Sequence, residues 1–246
     1  MQKFIKSIGI ACLLATSVSS NAALVTFFGE DPSTSGVFGP NSQAARDDFL
    51  SNLSGVGNES FESFSTGASS PLNLVFPGSA GNLTASLSGN VTIAGSGPGR
   101  FPTSGSNFLE ASTGSFTIDF GSPVSTFGFN GIDIGDFVNA QMTLNLVGGT
   151  TQELTVPHSL NIGNNDQATL FFGFIDDTAT YSSISFNNVG GGDLFAFDDM
   201  VIGDVNQIVV EPTAVPELSA TSAPLAIALM SCLLGLGVER RRRKLS

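Results

Sequence analysis

The acidic side chains are the residues of this sequence whose type and spacing best suit a chemical role, either as metal ligands or as catalytic groups. Several occur in close pairs, namely Asp133 with Asp136, Asp176 with Asp177, Asp198 with Asp199, and Glu59 with Glu62. Oxygen-rich clusters of this kind suit Ca²⁺, which takes about six to eight oxygen ligands in a flexible geometry. The pairs therefore indicate a calcium site. The alternative is that they are solvated turn residues that keep a surface protein soluble.

Paired carboxylates can also serve as the acid and the base of a glycosidase. A sugar cleft of that kind is lined with aromatic side chains, yet the sequence contains no Trp and a single Tyr. His158 is the only histidine, and Cys12 and Cys232 lie near the two ends of the chain. The body thus has neither a His-rich zinc site nor a thiolate nucleophile. We predict no catalytic residue and a protein that is not an enzyme.

The charge distribution excludes nucleic acid as a partner. The formal net charge is -12, and seven of the nine basic residues lie within the first six or the last seven positions. Only Arg46 and Arg100 remain in the body. A nucleic-acid surface needs clustered cations, and this body has none.

Short apolar runs separated by Gly, Asn, Ser and Pro predict an all-β body. We expect strands at residues 24–28, 83–87, 91–94, 115–120, 126–129, 142–147, 152–156, 169–174, 183–186 and 195–202. Alternation at Phe116, Ile118 and Phe120 indicates strands with one buried face. Many of the runs follow one another at intervals of about 8 to 15 residues, which predicts an antiparallel β-sandwich over residues 23–205. The 21 Phe residues would fill the space between its two sheets.

One short helix is expected near the start of this body. Ala45, Phe49 and Leu53 recur every four residues within 41–53, which places them on one helical face. An Asn or Ser at the beginning of the segment would cap the helix.

Both ends of the chain read as targeting segments. Lys3 and Lys6, an apolar run and small residues up to Ala22 predict a signal peptide over residues 1–22, cleaved after Ala22. At the other end, residues 206–214 read as a linker. The apolar segment 223–238 is followed by the basic block 240–244, which predicts a transmembrane helix with a cytoplasmic tail.

Val215, Pro216 and Glu217 precede the apolar segment and the terminal Arg cluster. This order of features over residues 215–246 resembles the PEP-CTERM sorting signal of Gram-negative bacteria, although Leu218 stands where the family has a second Pro. In that family an exosortase processes the motif, and the substrates reach the cell surface or an extracellular polysaccharide matrix. The resemblance implies an exosortase as partner and a transient anchor in the inner membrane.

Three segments of the body, residues 59–64, 122–129 and 195–202, carry a second resemblance. In them the body resembles the jelly-roll modules of exported PEP-CTERM proteins, which are similar to carbohydrate-binding β-sandwiches. The resemblance implies extracellular polysaccharide as a partner. It also implies a structural calcium ion, held by an early Glu and by an Asp in the last strand, which here are Glu62 and Asp198 or Asp199.

Strand alternation predicts the face of the last strand on which Asp199 lies. It places Asp199 on the same face as Phe197 and Val201. A carboxylate on that buried face would need a partner, and a metal ion could supply it.

Three functions remain open at this point. The first is an exported, non-enzymatic surface or matrix protein that binds polysaccharide. The second is a secreted polysaccharide hydrolase, which would need a cleft flanked by two carboxylates. The third is a purely structural or adhesive envelope protein, for which exposed strand edges and self-association would be the sign.

Overall fold

The computed structural model describes residues 24–32, 36–134, 143–148, 151–158, 167–187 and 194–209. Ala22, Asp136, Met142, the motif at 215–217 and the apolar segment 223–238 lie outside these ranges. Among the described residues, no helix is long and apolar enough to cross a membrane.

The described chain forms eleven strands, one α-helix and one short 3-10 helix. In chain order they are β1 (Val25–Asp31), α1 (Pro40–Ser51), β2 (Gly57–Glu59), β3 (Leu72–Gly78), β4 (Gly81–Ala94), β5 (Phe108–Val124), β6 (Thr126–Ile132), β7 (Thr143–Gly148), β8 (Thr151–Thr155), β9 (Thr169–Ile175), β10 (Tyr181–Asn187), β11 (Leu194–Gly203) and the 3-10 helix Val205–Gln207. The strands follow the order β1-β9-β6-β11-β5-β10-β7-β8, with β2 on β11 and β3-β4 on β5. The described pairings are antiparallel.

The two longest strands, β4 and β5, allow the sheet to curl around its own core. Residues 109–112 of β5 pair with β11, whereas residues 116–124 pair with β10. The partner strand β4 changes register between Gly89 and Val91, and a bulge of this kind bends a strand. We call β1, β9, β6, β11 and β2 the helix side of the sheet. The open side comprises β3, β10, β7 and β8 with the adjoining halves of β4 and β5.

Phenylalanine rings join the two sides in the core. Phe186 of β10 stacks on Phe116 with ring centroids 4.2 Å apart, and it meets Phe127, Phe129 and Phe197 at 5.9, 5.5 and 5.3 Å. Phe127, Phe129 and Phe197 belong to β6 and β11 on the helix side. The prediction that Phe fills the core is confirmed.

The strand predictions are confirmed in position but not always in extent. Each of the ten predicted runs falls on an observed strand. Residues 83–87 and 91–94 form a single strand, β4, rather than two. Strands β2 and β3 were not predicted, although Leu72, Leu74 and Phe76 of β3 alternate as a buried face. Pro71 and Pro77 obscure this alternation because Pro is depleted from strand interiors.

The helix is correct in place but differs at both ends. It begins at Pro40 with Gly39 as its N-cap, so the prediction of an Asn or Ser cap is wrong. The cap comes instead from Asp31 of β1, whose Oδ1 accepts the Asn41 amide at 3.1 Å. Asp31 Oδ2 accepts the amide and the hydroxyl of Ser42, each at 2.8 Å. A carboxylate at this position satisfies N–H groups that have no partner within the helix.

The helix covers the outer surface of the helix side. Phe49 lies 5.5 Å from Phe27 and 5.3 Å from Phe171 between ring centroids. The helix ends at Ser51, two residues earlier than predicted, yet Leu53 still packs in the same cluster.

The chain remains bound to the body as far as Val209. The amide of Val209 donates to the Asn52 carbonyl at 2.8 Å, and the Ser54 amide donates to the Gln207 carbonyl at 2.8 Å. One compact unit accordingly ends at Val209. The first four residues of the segment predicted as a linker, 206–209, are part of that unit.

Candidate functional site

A β-bulge in β11 creates the setting of the Asp198–Asp199 pair. Asp198 lies opposite Asn130 of β6, whereas Val201 lies opposite Gly128, so β11 carries one extra residue between them. Asp199 adopts a φ of 47°, a left-handed conformation that Asp tolerates better than most residues.

The bulge reverses the side on which the later residues lie. Phe197 and Met200 both pack in the main core, while Val201 packs in the cluster under the helix. Asp199 contacts the same loop as Asp198 on the outer surface. The prediction that Asp199 shares a face with Phe197 and Val201 is therefore wrong, because one inserted residue shifts the alternation.

Hydrogen bonds from the loop between β4 and β5, residues 95–107, hold Asp198. Its Oδ2 accepts the Thr103 amide at 2.7 Å, the Thr103 hydroxyl at 3.0 Å and the Ser104 amide at 3.1 Å. Its Oδ1 accepts the amide of Asp199 at 2.7 Å. Asp198 is fully buried, so these donors replace the water that the carboxyl group loses.

Asp199 is bound to the same loop and to two neighbouring strands. Its Oδ1 accepts the Asn58 amide group at 2.7 Å and the Ser104 hydroxyl at 2.9 Å. Its Oδ2 accepts the Thr103 hydroxyl at 3.0 Å and the Asn130 amide group at 3.3 Å. The Thr103 hydroxyl thus lies 3.0 Å from both carboxyl groups but has only one proton to donate.

The environment of the pair disfavours charge on Asp198. Burial, followed by the negative charge of Asp199, raises the pKa of Asp198 to about 7 from its ordinary value of 3.8. The hydrogen bonds from Thr103, Ser104 and the Asp199 amide oppose this rise without cancelling it. Near neutral pH a proton therefore exchanges on and off Asp198.

Glu62 binds the same loop at a different point. Its Oε1 accepts the amides of Ser106 and Asn107 at 2.8 and 2.7 Å. The side chain is exposed, unlike those of Asp198 and Asp199. Within the described residues, no group of three or more Asp, Glu, His or Cys side chains is arranged to hold a metal ion. The predicted trio thus meets at one loop but does not form one cluster.

Some observations favour a calcium ion at Asp198 and Asp199, and others argue against it. Asn130 Oδ1 is buried and has no hydrogen-bond partner, while the amide nitrogen of the same side chain contacts Asp199. Carboxylate, amide and hydroxyl oxygens are ligands that Ca²⁺ accepts. However, all four carboxylate oxygens already accept hydrogen bonds, so an ion would have to share these oxygens with the donors or displace some of them.

In two of the remaining acidic pairs, Asp133 and Asp176 contact polar groups of the body. Arg100 lies 3.0 Å from Glu110 and 3.3 Å from Asp133. Burial alone would raise the pKa of Asp176, but hydrogen bonds from Tyr181, Thr178 and Ala179 lower it below its ordinary value. In turn, burial and then the neighbouring Asp176 raise the pKa of Tyr181.

Burial also perturbs Glu59 on the helix side. It raises the pKa of Glu59, whose carboxyl group accepts the amides of Phe61 and Val75 at 2.8 and 3.0 Å.

The outer surface of the open side presents two polar rows across its strands, which we call the polar face. In one row Ser86, Asp119 and Ser183 are paired neighbours, and in the other Ser88, Thr117, Ser185, Asn145 and Glu153 are. The Thr117 and Ser185 hydroxyls are 2.9 Å apart. Exposed valines border the rows, namely Val75 on β3 and Val147 on β7.

Sequence reasoning missed both the partners of the acid pair and the polar face. Asn58, Thr103, Ser104 and Asn130 carry no recognisable motif, and only the folded chain brings them to Asp199. The polar face did have a signal, since polar residues alternate with Ile118 and Ile184 in β5 and β10.

No family model and no curated protein matches this chain. Among solved structures, the K2 cleaved adhesin domain of Lys-gingipain is 14% identical with a TM-score of 0.40, over 60% of this chain and 97% of that one. The C-terminal family 22 carbohydrate-binding module of Clostridium thermocellum Xyn10B is 15% identical with a TM-score of 0.33, over 62% and 94%. The catalytic domain of a GH87 alpha-1,3-glucanase is 14% identical with a TM-score of 0.35, over 55% of this chain and 28% of that one. Similarity this weak says nothing about the ligand or activity of this chain.

Proposed function

We propose that this chain is an exported, non-enzymatic surface or matrix protein whose curled sheet is a jelly-roll β-sandwich that binds neutral polysaccharide. The observation that carries the proposal is the polar face, where hydroxyl, amide and carboxyl groups line up across neighbouring strands. Saccharide hydroxyls both donate and accept hydrogen bonds, and these side chains supply both kinds of partner. The expected signal peptide and the sorting signal that residues 215–246 resemble support the proposal of export.

The charges of the polar face favour a neutral ligand. Its rows contain Asp119 and Glu153 but no Lys or Arg, and the two cations of the body are engaged elsewhere. Arg100 is bound to Glu110 and Asp133, and Arg46 contacts Asn58. An anionic polysaccharide would therefore meet carboxylates without a compensating cation.

The same geometry argues against hydrolysis at this face. Asp119 lies on β5 and Glu153 on β8, with β10 and β7 between them. Three strand spacings correspond to about 14 Å, whereas the two carboxyl groups of a glycosidase lie about 5 to 9.5 Å apart. The side chains of the two rows are partly or fully exposed, which suits contact with an extended chain rather than enclosure of a single bond.

A double substitution tests the polar face. Thr117→Ala with Ser185→Ala removes two adjacent hydroxyls, and at about 1 kcal/mol for each lost hydrogen bond we expect at least a tenfold weaker affinity for neutral polysaccharide. Affinity electrophoresis in gels containing neutral glucans, xylan or galactan measures the effect, with polygalacturonate as the anionic comparison.

The matched control removes two hydroxyls outside the polar face. Ser54→Ala with Ser65→Ala changes exposed serines near the helix and in the loop after β2, and it should leave retardation unchanged. Equal losses in both double variants, retardation by polygalacturonate alone, or no retardation of the wild type in any gel would each contradict the proposal.

We also propose that a structural calcium ion binds at Asp198 and Asp199. The support is Asn130, whose amide nitrogen contacts Asp199 and whose Oδ1 is buried without a hydrogen-bond partner, with the Thr103 and Ser104 hydroxyls as further oxygen ligands. Glu62 is not included, because it binds the loop at Ser106 and Asn107 rather than at Thr103 and Ser104, where the two Asp residues bind.

Calcium removal tests this site. We expect a chelator to lower the melting temperature of the wild type and of Glu62→Gln by several degrees, and to leave that of Asp199→Asn unchanged. Differential scanning calorimetry with calcium and with EDTA measures all three proteins. An unchanged wild type, or a Glu62→Gln variant that no longer responds, would contradict the assignment.

A further inference from the structure

Strand β1 differs from the other edge strands of the described sheet in having little protection against pairing. Each of β1, β2, β3 and β8 is hydrogen-bonded on one side only within the described residues. Strand β2 has three residues, β3 contains Pro77, and β8 carries Glu153 at its centre. Short length, Pro and charge are the usual means of blocking an edge. The first five residues of β1, Val25 to Gly29, have none of these.

The open part of β1 is apolar and firmly held. Val25 is 52% exposed and Phe28 is 38% exposed, whereas the ring of Phe27 packs on Phe49 of the helix. On its paired side β1 is in continuous register with β9, from Val25 opposite Ile175 to Asp31 opposite Thr169. The edge is thus pre-ordered for a further strand, which lowers the entropic cost of pairing.

A contact with the helix shows where the open edge of β1 ends and which of its residues direct their backbone groups outward. The side-chain amide of Asn41 donates to the Glu30 carbonyl at 3.2 Å. The Glu30 carbonyl therefore points away from β9, toward the free side of β1. Backbone groups in an antiparallel strand alternate with a period of two, so Thr26 and Phe28 also direct their N–H and C=O groups to the free edge.

We infer that this edge pairs with β1 of a second copy of the chain, about a two-fold axis that passes through Phe27. In that register Thr26 of each copy lies opposite Phe28 of the other, and the two pairs exchange about four backbone hydrogen bonds. Glu30 falls opposite Leu24 rather than opposite the other Glu30. A parallel arrangement would instead place the acidic ends of the two strands side by side. This association does not depend on saccharide binding.

Sedimentation equilibrium of the full chain, in density-matched detergent at low and at high salt, tests the inference. We expect a monomer–dimer equilibrium that tightens with salt, because both copies are acidic and salt screens their repulsion. Phe28→Lys should weaken the dimer at least tenfold. The matched control Val75→Lys, on β3 at 43% exposure, should change it less than twofold. A monomeric wild type at every concentration, or equal effects of the two lysines, would overturn the inference.

A register-specific crosslink covers the case in which Phe28→Lys fails to fold. With Cys12 and Cys232 replaced by Ser, T26C and F28C copies are mixed and oxidised. We expect disulfide-linked dimers from the mixture and few from either variant alone, since residue 26 lies opposite residue 28. Crosslinking in all three samples, or in none, would contradict the two-fold pairing.

Discussion

Replacing Phe186 with Ala is expected to lower the free energy of unfolding by about 4 kcal/mol, since truncation of a buried Phe typically costs about 3 to 5 kcal/mol. Phe186 is fully buried, stacks on Phe116 with an interplanar angle of 13°, and reaches Phe127, Phe129 and Phe197 across the core. Its removal leaves a cavity between the two sides of the sheet, and the rigid strands around it can close that cavity only in part. Urea denaturation followed by circular dichroism measures the loss.

Two further variants show whether the loss comes from this position in the core. Phe186→Leu keeps most of the apolar volume and should cost less than half as much. Phe28→Ala removes a partly exposed ring and should cost less than about 1.5 kcal/mol at dilute protein concentration. A loss below about 1 kcal/mol for Phe186→Ala would show that the two sides of the sheet do not depend on this ring.

Asp198→Asn is expected to stabilise the protein at pH 7.5 in the absence of calcium. The folded pKa of Asp198 is about 7, and its ordinary value is 3.8. Between these two pH values the folded protein holds a proton that the unfolded chain has already released. The contribution of Asp198 is therefore fully present below about pH 4 and is lost as the pH rises toward 7.

The difference in the free energy of unfolding between Asp198→Asn and the wild type isolates the contribution of Asp198 from those of the other acids. Asp199 is the charged group that faces Asp198, whereas the donors from Thr103, Ser104 and the Asp199 backbone are neutral. Asn removes the charge, but its NH2 group cannot accept the Asp199 amide as Oδ1 of Asp198 does, so we expect the variant to be less stable than the wild type by about 1 to 2 kcal/mol near pH 4. At pH 7.5 we expect an advantage of roughly 2 kcal/mol, well short of the full shift because the surroundings can rearrange.

Denaturation in EDTA from pH 4 to 8 measures this profile, with Glu62→Gln as a control that should follow the wild type. Added calcium should then stabilise the wild type at pH 7.5 more than it stabilises Asp198→Asn. If Asp198→Asn were the less stable protein at pH 7.5 in EDTA, the ionised carboxylate would be needed as an acceptor, and burial would not be the dominant effect on Asp198.

The sequence predicted the elements whose signal is local. Phe116 and Ile118 alternate with polar neighbours, and each such pattern depends only on adjacent residues and on burial of one face. It is therefore readable without knowledge of the fold. Strand β3 was missed because Pro71 and Pro77 interrupt the usual strand composition, although Leu74 between them is fully buried.

The candidate site was predictable only in part, because its geometry depends on distant segments. The acids at 198 and 199 stand out in a chain with few cations. Their partners Asn58 and Thr103 lie on a different strand and in a loop, and nothing local connects them to Asp199. The bulge is likewise invisible to an alternation rule, since that rule assumes that no residue is inserted.

The cap that Asp31 provides to helix α1 links the folding of two elements that the sequence keeps apart. An isolated helix of 12 residues is marginal in water, and here the groups that satisfy its first amides belong to β1. Gly39, immediately before the helix, donates its amide to the Thr169 hydroxyl of β9 at 3.1 Å. The first turn of the helix can therefore be fully hydrogen-bonded only after β1 has paired with β9, so that helix and edge strand assemble and open as one cooperative unit.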